Sequence, residues 1–216
     1  SDTSGMTRSI PIEKILDDCL IAWAMNGEAL RPEQGYPARL VVPGWEGNMW
    51  VKWIRRLEFG DKPYMTREET SKYTDLLRDG KARMFTWVME AKSVVTSPSP
   101  EKPILHKGIQ QLRGLAWSGK GKIKRVDVSL DGGKNWRTAQ LHAPIMSKSL
   151  VRFTLPFEWS GEELLIQSRA IDETGYVQPY IQELQKIRGK NSIYHNNSIA
   201  TWLVSKSGRV DNVRLG

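Results

Sequence analysis

The sequence has 216 residues, of which 39% are hydrophobic and 9% aromatic, which is enough for one large or two small folded cores and excludes a disordered chain. Its 32 Lys and Arg residues against 24 Asp and Glu give a net charge of +8, which favours anionic partners such as oxyanions, phosphorylated cofactors or acidic proteins. The charge is dispersed without a nucleic-acid-binding motif, no apolar run reaches the roughly 20 residues of a membrane helix, and one cysteine cannot form an internal disulfide.

The first part of the chain is predicted to mix short helices and strands. Ser9 as a cap and Pro11 in the first turn predict an amphipathic helix through residue 16. Asn26-Gly27-Glu28 predicts a turn. Strands are predicted in residues 37–42, 50–59 and 85–95, and a second short helix in residues 67–77 of a long polar segment.

The second part is predicted to be an antiparallel β-sandwich. Residues 96–100 read Thr-Ser-Pro-Ser-Pro, which is typical of a linker. Residues 123–130 alternate, Asp131-Gly132-Gly133 supplies a turn, and residues 136–141 return, which predicts a hairpin. Further strands are predicted in residues 111–117, 150–155, 164–172 and 199–204, and short strands at this spacing are typical of a sandwich.

No local pattern of residues in the sequence by itself indicates a catalytic or metal site. His106, His142 and His195 lie far apart and lack the spacing of metal ligands. The sequence contains neither a phosphate-binding glycine loop nor a nucleophile elbow. Cys19 lies in an apolar run and is predicted to be a small buried residue.

An ordered series of motifs nevertheless resembles one family, the sulfite oxidase family of molybdopterin enzymes. The matching segments are residues 20–30, 35–44, 47–53, 114–119, 125–133, 169–172 and 177–179. Residues 61–70 and 191–197 further resemble the molybdenum subunit of the sulfane dehydrogenase branch, which belongs to the sulfur-oxidising Sox pathway. Any one of these segments is a weak signal, whereas their common order along the chain is specific.

The resemblance implies a mixed fold. Residues 1–95 are expected to be the rear part of an α+β oxidoreductase molybdopterin-binding domain, and residues 96–216 an immunoglobulin-like dimerisation domain. The family's molybdenum-ligating cysteine is expected upstream of these motifs, and Cys19 does not match its context. We therefore predict no metal ligand in this chain, and no activity for the chain alone.

The resemblance also implies which residues hold molybdopterin. Arg39 falls on an arginine that contacts the pterin phosphate, and a forked guanidinium suits that group. Trp50, Val51 and Lys52 fall on a segment that holds the pterin through backbone groups and an ammonium; the alternative for Lys52 is a solvent-facing strand residue. Gln34 stands where typical relatives have a histidine that touches the cofactor.

Three further residues are assigned by resemblance to the substrate side. Tyr73 falls on the family's active-site tyrosine, with Tyr64 as a competitor in the same loop. Arg188 falls on an arginine that reaches the substrate pocket, where fixed positive charge suits an anionic sulfur compound. Met49 stands where ordinary sulfite oxidases have a substrate-binding arginine, which favours a larger or less charged substrate. For each residue, packing or surface exposure without a catalytic role remains the alternative.

The implied function is the oxidation of reduced sulfur, either sulfite or protein-bound sulfane sulfur, by part of a molybdenum-dependent oxidoreductase. Expected partners are a second copy of the chain, a c-type cytochrome that accepts electrons and a sulfur-carrier protein, with a periplasmic location and no nucleic acid. The alternative is a non-catalytic module that dimerises or assembles without bound cofactor.

Overall fold

The computed structural model describes residues 6–190 and 194–215, so residues 191–193 of the motif at 191–197 lie outside the described residues. The chain divides into two compact units. Unit 1 comprises Ser1–Val88 and Ile187–His195, and unit 2 comprises Met89–Lys186 and Asn196–Gly216. The boundary expected between residues 95 and 96 stays a prediction.

Unit 1 is built from short elements. Its helices are α1 (Ile12–Asp18) and α2 (Arg67–Lys72), and its strands are β1 (Leu20–Ala22), β2 (Ala24–Met25), β3 (Glu28–Ala29), β4 (Arg39–Val41), β5 (Thr74–Leu76) and β6 (Ala82–Met84). The antiparallel pairs are β1 with β4, β2 with β3, and β5 with β6. Asn26 and Gly27 form the two-residue loop between β2 and β3 with φ of 54° and 83°, so the predicted turn is confirmed.

The first helix forms without the predicted serine cap. Pro11 is the N-cap residue of α1 and makes no side-chain capping bond. Ser9 instead donates from its backbone N to Oε1 of Glu69 at 2.6 Å and from its hydroxyl to Oε2 at 3.2 Å. The hydroxyl of Ser9 therefore serves a tertiary contact to α2, which a local capping pattern does not reveal.

The strand predicted in residues 50–59 is wrong. A short 3-10 helix spans Gly47–Met49, and residues 50–59 are irregular. Backbone N–H groups of Trp50 and Val51 donate to Gly47 O and Met49 O, which is a turn pattern. Trp53 has φ of 53°, which an extended strand does not allow.

Trp50, Val51 and Ile54 of this segment pack against a core cluster of unit 1, whereas other apolar residues of the segment, such as Leu57 and Phe59, are exposed. Leu40, Val42, Trp45 and Met49 are buried in this cluster, with Trp87 packed against it. The Trp45 and Trp87 rings stack with their centroids 4.9 Å apart. Burying a large apolar side chain stabilises a fold by roughly 1.5–3 kcal/mol, so this cluster is a main source of stability for unit 1.

Unit 2 contains the predicted sandwich. Its strands are β7 (Lys92–Ser97), β8 (Gly108–Trp117), β9 (Ile123–Ser129), β10 (Arg137–Thr138), β11 (Gln140–His142), β12 (Val151–Trp159), β13 (Leu164–Asp172), β14 (Thr201–Val204) and β15 (Val210–Val213). One sheet has the order β10-β9-β13-β14-β15 and the other β11-β12-β8-β7, and all named pairs are antiparallel. The helix α3 spans Ile181–Arg188. The predicted hairpin is confirmed for β9 and β10, but Gln140 and Leu141 of its predicted second strand belong to β11 in the other sheet. The segment predicted as a linker is partly strand, because β7 runs through Ser97.

The sandwich could be predicted from the sequence because apolar and polar side chains alternate along its strands. On β12, Val151, Phe153, Leu155, Phe157 and Trp159 are buried while the residues between them are more exposed. This strand packs its inner face into the core cluster of unit 2. None of the helices in the described parts of the chain is long and apolar enough to cross a membrane.

Candidate cofactor and substrate site

Two cationic side chains flank a glycine in unit 1. Gly35 ends a 3-10 helix (Pro32–Gln34) with φ of 115°, a conformation that favours glycine. A Cβ added to Gly35 would lie 3.1 Å from Cβ of Arg39 and 3.0 Å from Cβ of Lys52. The absence of a side chain at Gly35 therefore lets the stems of Arg39 and Lys52 pack on either side of it.

The polar groups of these cations are only partly used within the chain. Arg39 Nη1 donates to Gln34 O at 3.0 Å, and Lys52 Nζ donates to Glu33 O at 2.8 Å. Arg39 Nε is buried and has no hydrogen-bond partner. Because a buried unsatisfied donor is costly, this N–H marks a place where an anionic group would be stabilised.

The other residues assigned to the cofactor lie in the same region of unit 1 and hold its backbone in place. The Gln34 side-chain Oε1 accepts from Arg31 N at 3.0 Å, so its amide closes the 3-10 turn. The Arg39 guanidinium lies 5.6 Å from the centroid of the Trp50 ring. Val51 O accepts from Leu40 N at 2.8 Å, which ties the 50–52 segment to β4. The structure thus brings all five residues assigned to the cofactor into one region.

A cavity of about 200 Å³ lies elsewhere in unit 1. The residues that line it are Glu46, Gly47, Asn48, Tyr73, Thr86 and Tyr194. Tyr73 is the C-cap residue of α2, and its backbone O accepts from Thr86 N at 2.8 Å. The Tyr73 ring lies 5.0 Å from the Tyr194 ring and 4.9 Å from the Arg8 guanidinium. Of the residues assigned to the substrate side, only Tyr73 lines this cavity.

Sequence reasoning missed the carboxylate at this cavity. Glu46 Oε1 lies 2.8 Å from Nδ1 of His195, whose side chain is buried. His195 thus acts as a hydrogen-bonding residue within unit 1. The pair is separated by 149 positions in the sequence, and Glu46 belongs to no motif of its own, so no local signal points to it.

Arg188 and Met49 do not line the cavity. Arg188 Nη1 lies 2.9 Å from Oδ2 of Asp75, and both side chains are buried. Met49 is 1% exposed and packs in the core cluster of unit 1. Their substrate roles stay predictions, and the burial of Met49 argues against direct contact with a substrate. Tyr64, the competitor of Tyr73, is exposed and also lies outside the cavity lining.

The comparisons with known proteins agree with one another. Residues 1–68 match the family model of the oxidoreductase molybdopterin binding domain, and residues 83–202 that of the Mo-co oxidoreductase dimerisation domain. The sulfite oxidase of Gallus gallus is 35% identical over 188 residues, covering 79% of this chain and 40% of that protein. A nitrate reductase [NADH] of Nicotiana tabacum is 32% identical over 195 residues, covering 75% of this chain and 21% of that protein.

One solved structure is much more similar. The crystal structure of the sulfane dehydrogenase SoxCD from Paracoccus pantotrophus has 62% sequence identity and a TM-score of 0.92, over 96% of this chain and 54% of that one. The chain therefore belongs to the sulfite oxidase family of molybdopterin oxidoreductases, as its motifs indicated. It spans 40% of the length of the sulfite oxidase and 54% of the solved chain.

The residues around Gly35 fit a phosphorylated pterin. Arg39 and Lys52 supply positive charge, and the buried Arg39 Nε lacks a partner. Guanidinium and ammonium groups are the usual protein partners of phosphate oxygens. Within the described residues there is no group of three or more His, Cys, Asp or Glu side chains that could hold a metal ion.

Proposed function

We propose that this chain is part of a molybdenum-dependent oxidoreductase that oxidises reduced sulfur, either sulfite or sulfane sulfur bound to a carrier protein. The observation that carries the proposal is the pair of cations across Gly35 with a buried, unpartnered Arg39 Nε. The similarity to sulfite oxidase and to sulfane dehydrogenase supports the choice of a sulfur substrate. A bound molybdenum cofactor supplies the two-electron redox chemistry at sulfur, with water as the source of oxygen.

In this proposal the chain binds and orients the cofactor. Arg39 and Lys52 hold its phosphate and pterin, Gln34 fixes the turn that carries Gly35, and Trp50 and Val51 fix the backbone beside them. Tyr73 presents its phenol in the cavity, where it can donate a hydrogen bond to a substrate or hold a proton. Arg188 contributes by anchoring the segment that carries Tyr194.

Electrons would leave to a c-type cytochrome, and the protein would act in the periplasm as a dimer of identical chains. These parts of the proposal rest on the resemblance to the sulfane dehydrogenase branch. The match of residues 83–202 to a dimerisation domain supports the dimer. The positive net charge of the chain suits an acidic acceptor or carrier protein.

The test of the cofactor role is the molybdenum and pterin content of the complete protein that contains this chain. Arg39→Ala should lower both by roughly ten- to a hundredfold, because a hydrogen bond to a charged group contributes about 1.5–3 kcal/mol. Arg55→Ala, an exposed arginine of the same segment, is the matched control and should leave them unchanged. Equal pterin content in wild type and Arg39→Ala would contradict the assignment.

The test of activity is reduction of a c-type cytochrome by the loaded protein. Sulfite and a protein-bound sulfane donor should each be assayed as substrate, with absorbance of the reduced haem as the readout. A protein that dimerises but retains no pterin and reduces no cytochrome would favour the alternative, a non-catalytic assembly module.

A further inference from the structure

The cavity in unit 1 carries a negative charge, although the proposed substrates are anions. Among the described residues that line it, Glu46 alone has a formal charge, and the others are neutral. The neutral lining residues are Gly47, Asn48, Tyr73, Thr86 and Tyr194. The cavity therefore presents a carboxylate to whatever enters it.

That carboxylate is held in place. Its Oε1 lies 2.8 Å from Nδ1 of His195, which is 3% exposed. The Glu46 backbone is fixed as well, since its N donates to Trp87 O at 2.6 Å and its O accepts from Met49 N at 2.9 Å. A fixed charge in a partly buried position acts more strongly on a ligand than one in bulk water.

Two cations of unit 1, Arg8 and Arg188, are not among the described residues that line the cavity. The Arg8 guanidinium lies against the Tyr73 ring, and its Nε donates to the backbone O of Asn48 at 3.1 Å. Arg188 is matched by Asp75 in a buried ion pair. Arg188 is thus paired with a carboxylate other than Glu46, whereas the contacts of Arg8 named here are with neutral groups.

On the basis of the proposed function, we propose that Glu46 is a specificity-determining residue of this cavity and that His195 positions it. The carboxylate repels small dianions such as sulfite and sulfate and accepts hydrogen bonds from neutral donors. A sulfur substrate carried on a polypeptide arm brings backbone N–H groups, which are such donors. Selection against one ligand class by a like charge is a general route to specificity.

The test uses inorganic sulfate as a non-reacting probe, with its dissociation constant from this full chain measured by calorimetry or NMR titration. Glu46→Gln keeps the size of the side chain and removes the charge, so sulfate should bind at least about tenfold more tightly. Glu46→Asp keeps the charge and should bind sulfate as weakly as wild type. Glu28→Gln removes an exposed carboxylate of the same unit and should change nothing.

Two results would overturn the inference. One is unchanged sulfate affinity in Glu46→Gln; the other is an equal rise in Glu28→Gln, which would indicate only a change in net charge. If Glu46→Gln does not fold, Glu46→Ala replaces it, and the same comparison with Glu28→Ala decides.

The positioning role of His195 is tested in the same titration. His195→Asn keeps an amide donor near the position of Nδ1, so sulfate should bind as weakly as to wild type. His195→Leu removes that donor, so sulfate should bind more tightly while the far-ultraviolet circular dichroism spectrum stays unchanged. A purely structural histidine would lower the melting temperature in both variants without separating their sulfate affinities.

The outcome is distinguishable from failure of the proposed function, because sulfate binding requires no turnover. Tighter sulfate binding in Glu46→Gln together with a complete protein that oxidises no sulfur would leave the charge role intact and remove the proposed activity. If the complete protein oxidises sulfur but Glu46→Gln binds sulfate no more tightly than wild type, the proposed function stands and only the role of Glu46 is wrong.

Discussion

Nη1 of Arg188 lies 2.9 Å from Oδ2 of Asp75, and the two side chains are 5% and 6% exposed. They are 113 positions apart in the sequence, so the pair joins two distant segments of unit 1. A buried ion pair adds little stability over an apolar pair, but the loss of one partner leaves a buried charge uncompensated.

Asp75→Asn should therefore destabilise the protein by about 3–5 kcal/mol, measured by urea unfolding. Asp79→Asn, at an exposed aspartate of the β5–β6 turn, is the control and should change stability by less than about 0.5 kcal/mol. Similar small effects in both variants would show that the Asp75–Arg188 pair does not stabilise the fold.

Gly35→Ala should lower both stability and pterin retention. The new Cβ would lie within 3.1 Å of the stems of Arg39 and Lys52, at a residue with φ of 115°. Strain at such a position costs on the order of 1–3 kcal/mol. Gly47→Ala is the matched control, because its Cβ would meet no atom within 4 Å. The melting temperature of this chain and the pterin content of the complete protein are the two readouts.

Met49→Ala should cost about 2–5 kcal/mol of stability, because it leaves a cavity in a packed core. The resemblance by itself predicts that Met49→Arg tightens sulfite binding. The 1% exposure of Met49 predicts instead that an arginine there destabilises the core cluster of unit 1, because burying an unpaired charge is expensive. The free energy of unfolding of both variants, measured with guanidinium, distinguishes the two predictions. A Met49→Arg protein that is as stable as wild type and binds sulfite more tightly would restore the substrate role of Met49.

Asp131 should stabilise the β9–β10 hairpin in a pH-dependent way. Hydrogen bonds from the Asn135 backbone and side chain, and from Ser129, hold the pKa of the Asp131 carboxyl far below its ordinary value. Because the folded-state pKa is lowered, the contribution is complete above the unfolded-state pKa and disappears as pH falls through the folded-state pKa. The melting temperature of Asp131→Ala should thus be lower than wild type at pH 7, and the difference should shrink steadily below about pH 4.

This chain should form a two-fold dimer through unit 2, as its match to a dimerisation domain family indicates. Sedimentation equilibrium of the chain at roughly tens of micromolar tests this, since that range covers ordinary dimer affinities. A strict monomer over the whole range would count against the proposed assembly.

The sandwich was predictable because its strands alternate. The buried positions of β12 and the Asp131-Gly132-Gly133 turn are local signals, and the structure has both. The segment after Gly47 was not predictable, because Trp50 and Val51 are apolar for a different reason: they pack on a core cluster from an irregular segment. Composition alone does not separate that case from a strand.

The residues of the candidate site also fall into those that the sequence could indicate and those that it could not. Arg39 and Lys52 could be found because they lie in motifs that resemble a family, and the structure places both beside Gly35. Glu46 could not be found, since its partner His195 lies 149 positions away and only the folded chain brings them together. Contacts of that range carry no local signature in a single sequence.

The division of the chain also sets the order in which it can be completed during synthesis. Unit 1 takes its first residues from the start of the chain and its last, Ile187–His195, from beyond most of unit 2. The partners Arg188, Tyr194 and His195 leave the ribosome only after all the strands from β1 to β13. Protein domains usually fold from the N-terminus as they emerge. Within this sequence, unit 1 cannot be completed until Ile187–His195 have been made, so the cavity and the Asp75 ion pair can form only after the strands β1 to β13 have emerged.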